Sequence, residues 1–197
     1  MANIQLCLFA STPDMAGLGF IVKVHMGLPE DLCRKAVEWG YDGIEFMPDP
    51  DRILDPATMR HALAATGSVL PVVNSGRMAV QGYALLAADP ELRRRSIQAY
   101  QRLLDFAGCF GARTGLGAAR GACPSGLQPA EAEKLAGDVF LELAEHARKA
   151  GSVVMLEPAD PGVTSYIHTM DEAMTWVDRL AHPAFSVMMD KIGRAHV

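Results

Sequence analysis

Positive charge is scarce in this chain, and the cysteine spacings that usually hold metals or redox centres are missing. Lys and Arg total 18 against 23 Asp and Glu, which leaves a net charge of −5. A protein that grips a phosphate backbone needs a basic face, so nucleic acid is not an expected partner. The four cysteines, Cys7, Cys33, Cys109 and Cys123, include no CxxC pair. Cys7, Cys33 and Cys109 fall inside apolar strand or helix patterns, where a reduced, buried thiol is the expected state. No basic start precedes a long apolar stretch at the N-terminus, and the longest apolar runs fall well short of a membrane span. The expectation is a cytoplasmic protein with no membrane partner.

What is present is core-forming material in a regular order. Half of the residues are hydrophobic and 21% are charged, enough to bury a sizeable core. At 197 residues the chain makes one domain, or most of a larger one, since α/β barrels typically need about 250. Apolar strands are predicted at 4–10, 43–47, 68–73, 112–116, 153–156 and 185–189. Helices are predicted between them, opening at Pro29, Pro56, Asp89-Pro90-Glu91, Pro129 and Thr169. Gly40, Gly67 and Gly151 are read as stops, and Thr169 with Glu172 as a capping box. Pro71 weakens the third strand. In the third helix Ile97, Tyr100, Leu103, Leu104 and Phe106 form the apolar face, and Arg93, Arg94 and Arg95 are predicted to stay wet. Gly115, Gly117 and Gly121 follow a GxGxxxG spacing with no helix behind it, a poor dinucleotide motif, and are read as a mobile rim loop. Strict alternation implies parallel strands with right-handed crossovers. A doubly wound sheet and an interrupted eight-stranded barrel both satisfy it.

Three predicted strands end in an acid: Glu45, Glu157 and Asp190. A strand buried in a parallel sheet should be almost wholly apolar, and a carboxylate at its end costs desolvation unless paired or metal-bound. In a barrel such ends surround one mouth. Three acids converging there would suit an oxygen-ligating cation such as Mg²⁺ or Mn²⁺. His25 and Lys23, in the loop after the first strand, are within reach of that mouth. Asn74, Ser75 and Arg77 take a similar rim position after the third, and Arg77 is a candidate to neutralise a substrate phosphate or carboxylate. His61, His146 and His168 are read as structural, and the eleven methionines as core filler.

Gly40-Tyr41-Asp42-Gly43-Ile44-Glu45-Phe46, Asp89-Pro90-Glu91-Leu92-Arg93 opening a helix towards Gly111-Ala112, Leu156-Glu157-Pro158, and Val187-Met188-Met189-Asp190 together resemble the xylose-isomerase-like TIM-barrel proteins. This is the sugar-phosphate isomerase/epimerase group, with hydroxypyruvate isomerase and ketose 3-epimerases among its members. The resemblance covers nearly all of residues 3–190 and implies a parallel (β/α)8 barrel with about six of the eight units present. It also implies a divalent metal, Mn²⁺ or Mg²⁺, held by a Glu, an Asp, a His and a second Glu. Glu157 matches the first ligand and Asp190 the second. In the epimerase branch the first Glu also has a proton role, which makes Glu157 the catalytic candidate. The implied reaction is proton abstraction next to the carbonyl of a sugar, sugar phosphate or other small hydroxy-carbonyl, through an enediolate. Glu45, His25 and Arg77 are the substrate-binding candidates. Whether the parent forms a homo-oligomer is left open, as is the choice between isomerase, epimerase and dehydratase.

A histidine commonly follows the Asp by three positions, and Gly193 stands there. Lys191-Ile192-Gly193-Arg194-Ala195-His196-Val197 resembles the translation of a common sequencing-library adapter, AAG-ATC-GGA-AGA-GCA-CAC-GTC. The expectation is therefore a partial barrel over 1–190 and a non-native tail over 191–197, with the last two metal ligands lost. Two rivals stand beside the isomerase reading. One is an endonuclease or hydrolase relative on the same fold; the other is a non-catalytic fragment whose unpaired edge strands invite association.

Overall fold

The structure is a computed structural model and describes residues 4–16 and 24–189. Seven strands form one sheet in the order β2-β1-β3-β4-β5-β6-β7, and every pair is parallel. They are β1 (Cys7–Ser11), β2 (His25–Met26), β3 (Gly43–Met47), β4 (Val69–Val73), β5 (Arg113–Leu116), β6 (Val154–Leu156) and β7 (Phe185–Val187). Helices α1 (Pro29–Glu38), α2 (Pro56–Thr66), α3 (Gly76–Val80), α4 (Pro90–Gly108), α5 (Pro129–Ala150) and α6 (Met170–Leu180) intervene.

The helix boundaries follow local chemistry. Proline occupies the first turn of α1, α2, α4 and α5, where its missing N–H costs nothing. Asp55 caps α2 by accepting from Ala57 N, and Asp89 caps α4 by accepting from the N–H groups of Glu91 and Leu92. Thr169 and Glu172 form the expected capping box of α6. Gly67 and Gly151 end α2 and α5 with φ of 71° and 81°, a conformation that suits glycine.

Alternation along the strands separates two faces. Ile44 and Phe46 are fully buried under the helices, with Phe46 6.1 Å from Phe106 of α4. Val154 and Leu156 share that core. Gly43, Glu45, Met155 and, by continuation, Glu157 therefore face the opposite, inner side. At the far end of the sheet Phe140 of α5 packs on Trp176 of α6 at 5.2 Å and on Phe185 of β7 at 5.6 Å. Burying each such ring stabilises by about 1.5–3 kcal/mol, which anchors β7 beside β6.

Several sequence expectations are corrected. His25 belongs to a short strand, β2, rather than to a loop, because Ala10 and Ser11 offer β1 backbone for pairing. That strand covers the C-terminal end of the β1 edge, so this edge is not wholly unpaired. Glu45 lies in the middle of β3, because Phe46 and Met47 continue the ladder opposite Ala10 and Ser11. Cys109 is exposed, since it caps the C-terminus of α4 where the apolar face has ended. The glycine segment after β5 is a 3-10 turn over Ala118–Arg120 with Arg120 fully buried, not a bare rim loop. Pro71 does lie within β4, and the ladder accommodates it with a bulge: Gly43 pairs Val69 but Glu45 pairs Val72.

Candidate active site at the C-terminal edge of the sheet

Glu157 directly follows β6, and its N–H donates to Leu116 O of β5 at 3.1 Å, extending the ladder one step past the strand. Its side chain lies over Gly117, where any Cβ would collide with Oε2. Its main-chain carbonyl accepts from Nη1 of Arg120. The same Nη1 donates to Leu116 O at 2.8 Å, while Nη2 donates to Tyr166 O at 3.2 Å and Ile167 O at 3.1 Å. One buried guanidinium thus ties the ends of β5 and β6 to the segment that precedes α6. Nε of Arg120 finds no partner among the described residues. Burial pushes the Arg120 guanidinium down to about 10, opposed by the nearby Glu157 carboxylate and Tyr100, so it stays charged at neutral pH. Tyr100, fully buried in α4, donates to Thr114 O and Gly115 O at 3.1 Å each. Burial pushes its hydroxyl well above the ordinary tyrosine range, so it remains a neutral donor.

Glu45 accepts a hydrogen bond from Asn74 Nδ2 at 2.7 Å, and Asn74 Oδ1 accepts from Gly76 N at 2.7 Å, which fixes the amide's orientation. Ser75 Oγ donates to Gly115 O at 2.7 Å, joining the β4 and β5 ends. In ladder register Glu45 pairs Val72, Val72 pairs Arg113, and Thr114 pairs Val154. The level of Glu45 on β6 is therefore Val153, four residues before Glu157.

The other predicted side chains have their own settings. Arg77 is 4% exposed in its side chain and ion-pairs Asp14 at 2.6 Å and Asp49 at 2.7 Å. It also donates to Thr12 Oγ1 at 3.3 Å, and Gln81 Nε2 donates to Asp49 Oδ1 at 3.1 Å. The Arg77 guanidinium beside Asp14 holds that carboxyl down at about 2. His25 is in register with Ala10, on the helix side of the sheet. Its Nε2 is 3.3 Å from Lys35 Nζ, and its ring meets Trp39 edge-on at 5.1 Å. Asp190 and Lys23 lie outside the described residues. Among the described residues no group of three or more His, Cys, Asp or Glu forms a metal cluster, and no helix is long and apolar enough to cross a membrane. The donor chemistry at Glu157 fits a hard cation: a carboxylate at a strand end, with space made for it by Gly117.

The buried Arg120 and the close approach of the Glu157 carboxylate to Gly117 were not anticipated from the sequence. A signal for the first was available, because Arg120 is the lone charged residue between Arg113 and Glu131, with Ala118 and Ala119 before it.

The profile of the family described as "Xylose isomerase-like TIM barrel" matches residues 33–191. The chain belongs to that family. Among solved structures, members of known fold superpose over nearly the whole chain. The apo 3-keto-D-glucoside 4-epimerase YcjR from E. coli is 16% identical, with a TM-score of 0.68 over 94% of this chain and 68% of its own. A xylose isomerase-like TIM barrel protein from Mycobacterium smegmatis, in complex with magnesium, is 21% identical, with a TM-score of 0.58 over 92% of this chain and 63% of its own. The D-allulose 3-epimerase from Methylomonas sp., in complex with D-allulose, is 16% identical, with a TM-score of 0.67 over 96% and 64%. The chain thus spans 63–68% of the length of these three proteins. At such identities the likeness establishes the fold, a parallel α/β sheet of TIM-barrel type. A search among curated proteins finds no match.

Proposed function

We propose that the protein is the greater part of a divalent-metal-dependent sugar or sugar phosphate isomerase or epimerase, acting in the cytoplasm on a small hydroxy-carbonyl substrate. The observation that carries this reading is the Glu157 carboxylate, placed at the end of β6 on the inner face, above Gly117 and beside the buried Arg120 charge. The similar folds support it, since they include a 3-keto-D-glucoside epimerase, a D-allulose epimerase and a magnesium complex. Residues 1–190 are read as barrel and 191–197 as sequence foreign to it.

Glu157 and Asp190 are the residues that would hold the cation, which when bound polarises the substrate carbonyl. Glu157 takes the proton from the carbon beside that carbonyl, the C–H electron pair moves into the carbonyl group to give an enediolate, and the proton is then returned. Glu45, its carboxylate oriented by Asn74, accepts hydrogen bonds from substrate hydroxyls. Arg77 holds the rim loops after β1 and β3 in place around the substrate, and His25 supports the β1 edge of the mouth.

The test is to read the source locus past codon 190 and assay its uninterrupted product on a panel of ketoses and keto-glycosides, with Mn²⁺ and with chelator. Metal-dependent interconversion is expected. No turnover of any sugar, together with salt-sensitive binding of abasic DNA, would replace this reading with the endonuclease one.

A further inference from the structure

Two residues of the turn after β5 have no assigned part in any reaction, yet both are built around one acid. Gly117 opens the turn with φ −103° and ψ −114°. The space its absent side chain leaves is occupied by the Glu157 carboxylate, so that a methyl group there would strike Oε2. Three residues on, Arg120 is wholly removed from solvent, and its Nη1 and Nη2 donate to main-chain carbonyls alone. One of these is the carbonyl of Glu157 itself.

A buried guanidinium is expensive unless its donors are satisfied and its charge is answered. Here main-chain carbonyls accept from Nη1 and Nη2, Nε has no partner among the described residues, and the nearby Glu157 carboxylate answers the charge. Apolar replacement of a buried charge is often neutral or stabilising. The cost makes sense if the position of the acid is what the arrangement secures.

We propose that Gly117 and Arg120 form a seat for Glu157, making them positioning residues: Gly117 vacates the volume its carboxylate occupies, and Arg120 fixes its backbone. Their effect reaches any substrate only through Glu157. This deepens the proposed function by explaining how its central acid is aimed, and it rests on that reading only for its consequence in catalysis.

The seat is testable without metal or sugar, so its failure is separate from failure of the enzymatic reading. The protein is labelled with glutamate carrying 13C at the δ-carboxyl carbon, and the Glu157 resonance is assigned by its loss in Glu157→Gln. In Gly117→Ala and Arg120→Lys, at one neutral pH, that resonance is expected to move outside its linewidth. The resonances of the remote acids Glu131 and Glu142 should stay in place, and the circular dichroism spectrum should remain that of the folded chain. A merely structural role would lower the melting temperature and leave the resonance where it was. An unmoved Glu157 signal in folded Gly117→Ala overturns the proposal, and should Arg120→Lys fail to fold, Gly117→Ala alone decides.

Discussion

Asn74 Nδ2 donates to Glu45 Oε1 at 2.7 Å across the β3–β4 junction, and the same amide accepts Gly76 N at 2.7 Å through its oxygen. The second bond leaves the amide only one orientation, so the NH₂ group must face the carboxylate.

Replacing that donor with an acceptor of the same shape should therefore be costly in a pH-dependent way. Asn74→Asp brings two carboxylates to hydrogen-bond distance, and a shared proton raises the folded-state pKa of one of them. A group whose pKa is raised on folding supports the fold below its unfolded value and loses that support as pH climbs through the folded one. Urea unfolding should show a deficit of about 1–3 kcal/mol at pH 7 that shrinks towards pH 4. A deficit equal at both pH values would contradict the contact.

Arg77 should behave as a buried clamp. In Arg77→Met, Asp49, whose side chain is 8% exposed, is left without its cation. Breaking a buried pair from one side costs about 3–5 kcal/mol, measurable as a lower urea midpoint. Asp14 is more exposed, at 46%, and its carboxyl lies at about 2 instead of 3.8. A depressed pKa contributes stability above the unfolded value, and that contribution is lost as pH falls from about 4 through 2. Asp14→Asn should thus cost about 1 kcal/mol or less at neutral pH, given solvent screening, and flatten the acid limb between pH 4 and 2.

Thiol chemistry distinguishes the cysteines. Cys109 is exposed at the end of α4, whereas Cys33 is buried and burial raises its thiol pKa. Burial, then the Glu45 and Asp42 charges, raise that of Cys7. Only a thiolate attacks a disulfide reagent, so Cys109 should react first with Ellman's reagent and Cys33 only on unfolding. Loss of the fast phase in Cys109→Ser is the check.

Removing the cap hydroxyl in Thr169→Ala should cost about 0.5–2 kcal/mol in thermal or urea unfolding. Thr169 accepts from Glu172 N, while Glu172 reaches back to the N–H groups of His168 and Thr169. The substitution removes half of this box and leaves the Glu172 contacts in place. A variant as stable as the wild type would show that the cap contributes nothing.

How much of this was legible in the sequence depends on whether the signal was local. The starts of α1, α2, α4, α5 and α6 were legible because Pro29, Pro56, Pro90 and Pro129, with Asp89 and Thr169, act within one turn, whereas the short α3 was not foreseen. Glu157 was legible because an acid after Val154-Met155-Leu156 breaks an apolar pattern. β2 was not, since two residues carry no period and their strand character comes only from the β1 backbone beside them. Arg120 stands out as a lone charge, but the contacts it makes were hidden for the same reason. Its carbonyl partners at Glu157, Tyr166 and Ile167 lie 37 to 47 residues ahead, and only the folded sheet brings them together. Arg77 follows β4 in α3, and its partners Asp14 and Asp49 come from two other segments, so sequence alone could not show that its charge was already answered.

The central claim is that Glu157 moves a carbon-bound proton, and solvent exchange reads that step directly. The product of the source locus read past codon 190, with Mn²⁺ and a keto sugar in D₂O, should place deuterium on the carbon beside the carbonyl. Glu157→Gln, still folded, should slow this by about 10²–10⁴-fold, the usual contribution of a positioned acid or base. Exchange that continues undiminished in Glu157→Gln would contradict the account.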